Sequence, residues 1–262
     1  MTAEPFLREK ICEIGRRIYN RGMVAANDGN ISVRFTEHEI LCTPTGVSKG
    51  FMTPKSICKV NEFGELIEAN GSFRPSSEMK MHLRIYEKRP DIRAVVHAHP
   101  TYGTIFAIAG TALDKPIMSE AVVSLGSVPV VEYGAPSTME LPDNIEKYLP
   151  YYDALLLEHH GALTYADSLE NAYMRMESLE FYAELLYRTK LIDGQREFDE
   201  KEIERLYNIR STYGMTGKHP AEVCFFSDEE GCSTCPHHAD EDAVRNLPGY
   251  QYPFVGRKKL CK

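Results

Sequence analysis

Two apolar runs in this chain each carry a pair of histidines, "IRAVVHAHP" at residues 92–100 and "DALLLEHHGALTY" at 153–165. Both are short and rich in Val, Leu or Ala, which reads as buried strands rather than helices. Side chains two apart on a strand share a face, so His97 and His99 can converge on one point. A lone His-x-His pair at a strand end is usually a hydrogen-bonded surface feature. The second run changes that balance, because alternation lets one of His159 and His160 join the same face. Three imidazoles suit zinc or a similar divalent cation and leave a coordination position open for substrate.

The chain has 262 residues, enough for one large α/β or α+β domain or for a domain with an appendage. A change of character near residue 192 favours the second arrangement, a catalytic domain at 1–192 and a C-terminal extension at 193–262. Phe6, Leu7, Ile11, Ile14 and Ile18 predict an amphipathic helix over 6–19. "ISVRF" and "EILCT" read as strands beside the turns "NDGN" and "PTGVSKG", and "NEFGE" as a hairpin turn before "LIEA". "RPSSEMKMHLRIYEKRP" reads as a helix capped by Ser76 or Ser77 and stopped before Pro90. Further helices are expected at about 101–110 and 138–149, separated by "EAVVSLGSVPVVEYG" with its two apolar runs. Leu169, Ala172, Tyr173, Met176, Leu179, Ala183 and Leu186 lay an apolar stripe along one long core helix from Ser168.

The net charge of −8 and the lack of a basic stripe exclude nucleic acid as the main partner. No apolar run has the form of a signal peptide or a membrane span, which points to a cytoplasmic protein. Seven cysteines, an odd number, fit reduced thiols better than a disulfide framework. The extension holds a charged helix near 199–211 and then "CSTCPHH". Cys232, Cys235, His237 and His238 could form a second zinc site with Cys224 or Cys261, or a polar tail with free thiols.

A carboxylate is also needed for proton transfer, and Glu78 stands at a helix start behind two serines. Asn27, Gly29 and Asn30 in one turn, Thr45 and Gly46 in another, and Ser76 with Ser77 form a candidate anion cradle of backbone N–H groups and hydroxyls. No Walker pattern or G-x-G-x-x-G points to a nucleotide instead.

The ordered set "NDGNIS", "TPTG", "PSSE" followed by "MH", "VVHAH" and "LLEHHGAL" resembles the class II aldolase family of L-fuculose-1-phosphate aldolase, rhamnulose-1-phosphate aldolase and ribulose-phosphate 4-epimerase. It runs from about residue 5 to 192. The resemblance implies a three-layer α/β/α fold around a mostly antiparallel sheet, in a C4 homotetramer with active sites between subunits. It assigns zinc to His97, His99 and His160, leaving His159 a structural neighbour. It makes Glu78 the acid/base and places a substrate phosphate among Asn27, Asn30, Thr45, Gly46, Ser76 and Ser77. The implied reaction splits a ketose 1-phosphate, L-fuculose 1-phosphate or a related deoxy-ketose, into dihydroxyacetone phosphate and an aldehyde such as lactaldehyde. The family's epimerases carry aspartate where this chain has Glu78, which favours carbon–carbon cleavage.

One segment departs from the pattern. Where the fuculose enzymes have a tyrosine that handles the aldehyde-side proton, this chain reads "PIMSEAVVSLG", so Glu120 or a tail residue such as Tyr252 is the candidate. Glutamate in the matching region also occurs in methylthioribulose-1-phosphate dehydratase, which makes dehydration of a ketose phosphate the alternative reaction. Adducin heads share the fold as binding modules, but lack the metal histidines. The extension could cover the site's mouth, widen a subunit interface or address a partner such as a microcompartment shell.

Overall fold

The computed structural model describes residues 3–192 and 194–220. Cys224, Cys232, Cys235, His237, His238, Tyr252 and Cys261 lie outside the described residues. The strands are β1 (Asn30–Arg34), β2 (Glu39–Cys42), β3 (Cys58–Asn61), β4 (Leu66–Glu68), β5 (Ala94–Ala98), β6 (Val130–Val131), β7 (Ala154–Leu157) and β8 (Gly161–Ala166). They form one sheet in the order β4-β3-β2-β1-β5-β8-β7-β6, antiparallel throughout except between β6 and β7.

The helices are α1 (Glu4–Asn20), α2 (Met79–Lys88), α3 (Thr101–Ile108), α4 (Ser119–Ser124), α5 (Glu140–Glu146), α6 (Leu169–Lys190) and α7 (Glu200–Arg210). α1, α3 and α6 pack on one face of the sheet, α2 and α5 on the other, which is the expected three-layer α/β/α arrangement. Alternation drives this: Ala94, Val96 and Ala98 face the α6 side while Val95 faces α2 and α5. His97 therefore shares the face of Val95. The stripe on α6 is buried as expected, and Ser168 Oγ caps the helix by accepting from Asn171 N at 3.2 Å.

Two local expectations differ from the structure, and one segment left open by the sequence is resolved by it. "DALLLEHHGALTY" is not one strand but the hairpin β7–β8, reversing at residues 158–160 with His159 at φ 55° and His160 N donating to Leu157 O at 2.9 Å. Both arms are buried on both faces, so no change of hydrophobic pattern marks the break. Neither Ser76 nor Ser77 caps α2, because the helix begins at Met79 and Glu78 takes the N-cap position without a side-chain cap. The first apolar run of "EAVVSLGSVPVVEYG" is the short helix α4, and only Val130 and Val131 form a strand.

Residues 194–220 include α7, which packs on α4. Ile203 and Tyr207 of α7 pack on Val122 of α4, Arg210 donates to Val123 O at 2.8 Å, and the His219 ring meets Val122 O at 2.9 Å. Among the described residues, no helix is long and apolar enough to cross a membrane, and Cys12, Cys42 and Cys58 are free buried thiols.

Candidate active site

Register brings the site together at one end of the central strands. Asn30 at the start of β1 pairs with His97 at the end of β5, and Ala98 pairs with Ala162 just beyond the hairpin turn. That turn delivers His160. Candidate ligand nitrogens of His97, His99 and His160 all lie within 4.8 Å of one another.

The tautomers follow from what each ring touches. His97 Nδ1 lies 2.9 Å from Ala162 O, a carbonyl that can only accept, so Nδ1 carries the proton and Nε2 presents a lone pair. His99 Nδ1 faces Asp28 Oδ2 at 3.4 Å, which favours the same tautomer. Burial pushes His97 down to about 3 although the Glu78 carboxylate pulls it up, and burial together with His160 lowers His99. Two neutral Nε2 atoms thus face each other at 3.1 Å. Opposed lone pairs at that distance repel unless a cation sits between them, so the three histidines fit a divalent metal.

Glu78 closes the group. Its Oε1 is 3.1 Å from His160 Nε2 and its Oε2 is 3.5 Å from His97 Nε2. Asn30 Nδ2 donates to Oε2 at 2.5 Å. Burial works to raise the Glu78 carboxyl, but His97, His160 and the Asn30 amide outweigh it and hold it below the usual carboxylate range. It rests as a carboxylate, the form that accepts a proton.

The cleft beside these groups is lined by Asn27, Asn30, Thr45, Gly46, Ser76, Ser77, Glu78, His99 and His160, all singled out from sequence. His97 lies behind them, fully buried. Asn30 divides its amide between Glu78 and His82. Glu120 is exposed on α4 and does not line this cleft, and His159 is exposed with its ring 6.2 Å from Tyr133.

Residues 9–187 match the family described as Class II Aldolase and Adducin N-terminal domain. The chain belongs to this family. Within the class II aldolase family it is 36% identical over 181 residues to an L-fuculose phosphate aldolase of Methanococcus maripaludis, covering 68% of this chain and 93% of that one. It is 32% identical over 192 residues to a 3-oxo-tetronate 4-phosphate decarboxylase of Pectobacterium atrosepticum, covering 71% and 86%. A solved L-fuculose 1-phosphate aldolase superposes with a TM-score of 0.72 at 28% identity, over 79% of this chain and 96% of the other.

Further cleft residues carry no strong signal in this class II aldolase sequence. Lys49 is buried, its ammonium held by Asn27 O at 2.8 Å and Val47 O at 2.7 Å, and burial pushes it down to about 8 against the pull of Asp28 and Glu78. Ser137, 60 positions from Ser77, donates to its Oγ at 2.8 Å. Lys49 follows "TPTG" closely enough to have been suspected, whereas Ser137 reaches the cleft only through tertiary structure.

The glycine of "EHHG" has a physical reason. A Cβ on Gly161 would stand 2.5 Å from Ala98 O and 2.6 Å from His99 Cδ2, so only glycine lets β8 approach the His99 ring. Gly161→Ala should displace that ring and weaken metal binding about tenfold or more, read by competition with a chromogenic chelator. Unchanged affinity would show that the close approach is irrelevant to the site.

Proposed function

We propose that this chain is a metal-dependent aldolase that reversibly cleaves a ketose 1-phosphate, L-fuculose 1-phosphate or a related deoxy-ketose, to dihydroxyacetone phosphate and an aldehyde such as lactaldehyde. The observation that carries the reading is the convergence of three imidazoles and the Glu78 carboxylate at one wall of a cleft whose other walls are turns and hydroxyls. The chain is a lyase, and its relatives are aldolases and a decarboxylase.

His97, His99 and His160 would hold one divalent cation per subunit, zinc in the first place, which supplies Lewis acidity toward a carbonyl oxygen. The Thr45–Gly46 turn and Ser76 with Ser77 bind the phosphate with N–H groups and hydroxyls, assisted by Asn27 and by the charge of Lys49. That anchoring fixes the sugar chain against Glu78. Glu78 moves the proton at the carbon that becomes C3 of dihydroxyacetone phosphate. The reading takes 1–192 as the catalytic domain, 193–262 as an extension, and the assembly as a cytoplasmic homotetramer. Glu120, outside its own chain's cleft, can then serve the aldehyde side only across a subunit boundary.

The 32% identity to a 3-oxo-tetronate 4-phosphate decarboxylase supports a second reading, loss of carbon dioxide from a 3-oxo acid phosphate in the same cleft. Metal-loaded protein should be incubated with ketose 1-phosphates and 3-oxo acid phosphates, and the products identified by mass. Dihydroxyacetone phosphate plus an aldehyde is the expected result. Release of carbon dioxide alone establishes the decarboxylase, and loss of water alone the dehydratase.

A further inference from the structure

Behind the cleft, a line of buried polar groups runs from Glu78 into the layer between β1 and α2. Asn30 Oδ1 lies 2.6 Å from His82 Nε2, His82 Nδ1 lies 2.7 Å from Ser32 Oγ, and Ser32 Oγ lies 2.8 Å from Tyr86 OH. All four residues are buried, His82 and Ser32 completely. Isoleucines and valines fill the neighbouring core, so apolar side chains would serve packing alone equally well there.

Every proton in the line is placed by elimination. A Glu78 carboxylate can only accept, so the Asn30 NH2 must face it and the Asn30 carbonyl must face His82. His82 then carries its proton on Nε2, leaving Nδ1 to accept from Ser32, whose oxygen accepts from Tyr86. Burial pushes His82 down to about 4, which keeps the ring neutral with one donor and one acceptor, although Glu78 pulls the other way. The line does not serve as a proton wire, because it passes through an amide and its far end, Tyr86, is buried.

We propose that His82 is a positioning residue that locks Asn30 in the amide orientation presenting its NH2 to Glu78, thereby aiming the carboxylate at the reacting carbon. Without the His82 donor, the amide can turn over and set its carbonyl against the carboxylate, which repels it. This rests on the reading of Glu78 as the proton-carrying group. The "MH" that follows "PSSE" thereby acquires a role: His82 lies one helical turn after Glu78, on the side of α2 that faces β1.

The test uses the zinc-loaded full chain and solvent exchange of the C3 proton of dihydroxyacetone phosphate, together with cleavage of L-fuculose 1-phosphate. His82→Leu should lower kcat about ten- to a hundredfold while KM and bound zinc stay near wild type. His82→Gln keeps an N–H donor near the Nε2 position and should recover most of that loss. The double variant with Asn30→Ala should be no slower than Asn30→Ala alone, because the two residues act in series. In wild-type protein, 15N NMR of the His82 ring should show the Nε2–H tautomer at neutral pH. Wild-type kcat in His82→Leu, a His82→Gln variant as slow as His82→Leu, additive losses in the double variant, or an Nδ1–H tautomer would each overturn the assignment. Should wild-type protein cleave no ketose phosphate, the functional reading falls, while the ring tautomer still decides the orientation of the line.

Discussion

His99→Ala, stripped with a chelator and then supplied with zinc, should turn over at least about a thousandfold more slowly than wild type treated in the same way. Of the three proposed ligands, His99 is best suited to this test. His97 is fully buried and tied to Ala162 O, so its loss would damage the strand end as well as the site. The His99 side chain is 25% exposed and its ring faces the cleft, so alanine there removes a nitrogen with little loss of packing. Two imidazoles remain, too few to fix a cation tightly or to orient what it would bind. Wild-type protein should lose its activity on chelation and regain it with zinc or cobalt. Metal content measured by mass spectrometry should fall in His99→Ala and stay at wild-type level in His159→Ala, because His159 is exposed and turned toward Tyr133. Full activity of exhaustively chelated His99→Ala would end the metal-dependent reading.

The two histidine pairs were legible to different degrees, for a reason of geometry. A strand has a fixed period, so His97 and His99 could be placed on one face from spacing alone. A tight turn has no such period, and the choice of His160 over His159 came from the resemblance. The structure explains the choice through the left-handed backbone at His159, which turns its ring outward while the next residue is carried inward. Helices with one wet face, α1 and α6, were legible because their stripes repeat with the helical period. The hairpin β7–β8 was not, because a ladder buried on both sides has no polar face to show where it turns. The same limit hid the partners of Glu78. Asn30 could be suspected of contacting an anion, but its division between Glu78 and His82 depends on the packing of α2 over β1.

Glu78→Gln should retain zinc and lose about a hundredfold or more in turnover. Glutamine has nearly the shape of glutamate, and its carbonyl oxygen can still accept from Asn30 Nδ2, so the line to His82 survives the substitution. What disappears is the charge and the capacity to take up a proton. The wild-type carboxyl is held below the usual carboxylate range, so at neutral pH it starts as a base. On the proposed reading, in the direction of aldol formation it would take a proton from C3 of dihydroxyacetone phosphate directly. In the direction of cleavage, it must first acquire the proton that it returns to that carbon. Both directions use the same oxygen and the same proton, so exchange of the C3 proton with deuterated solvent and cleavage of the ketose phosphate should fall together in Glu78→Gln, with KM little changed because the phosphate is held elsewhere in the cleft. Exchange at the wild-type rate alongside lost cleavage would move Glu78 to the aldehyde side of the reaction. Wild-type rates of both would remove it from the chemistry altogether and leave Glu120, from a neighbouring subunit, as the acid/base to be tested next.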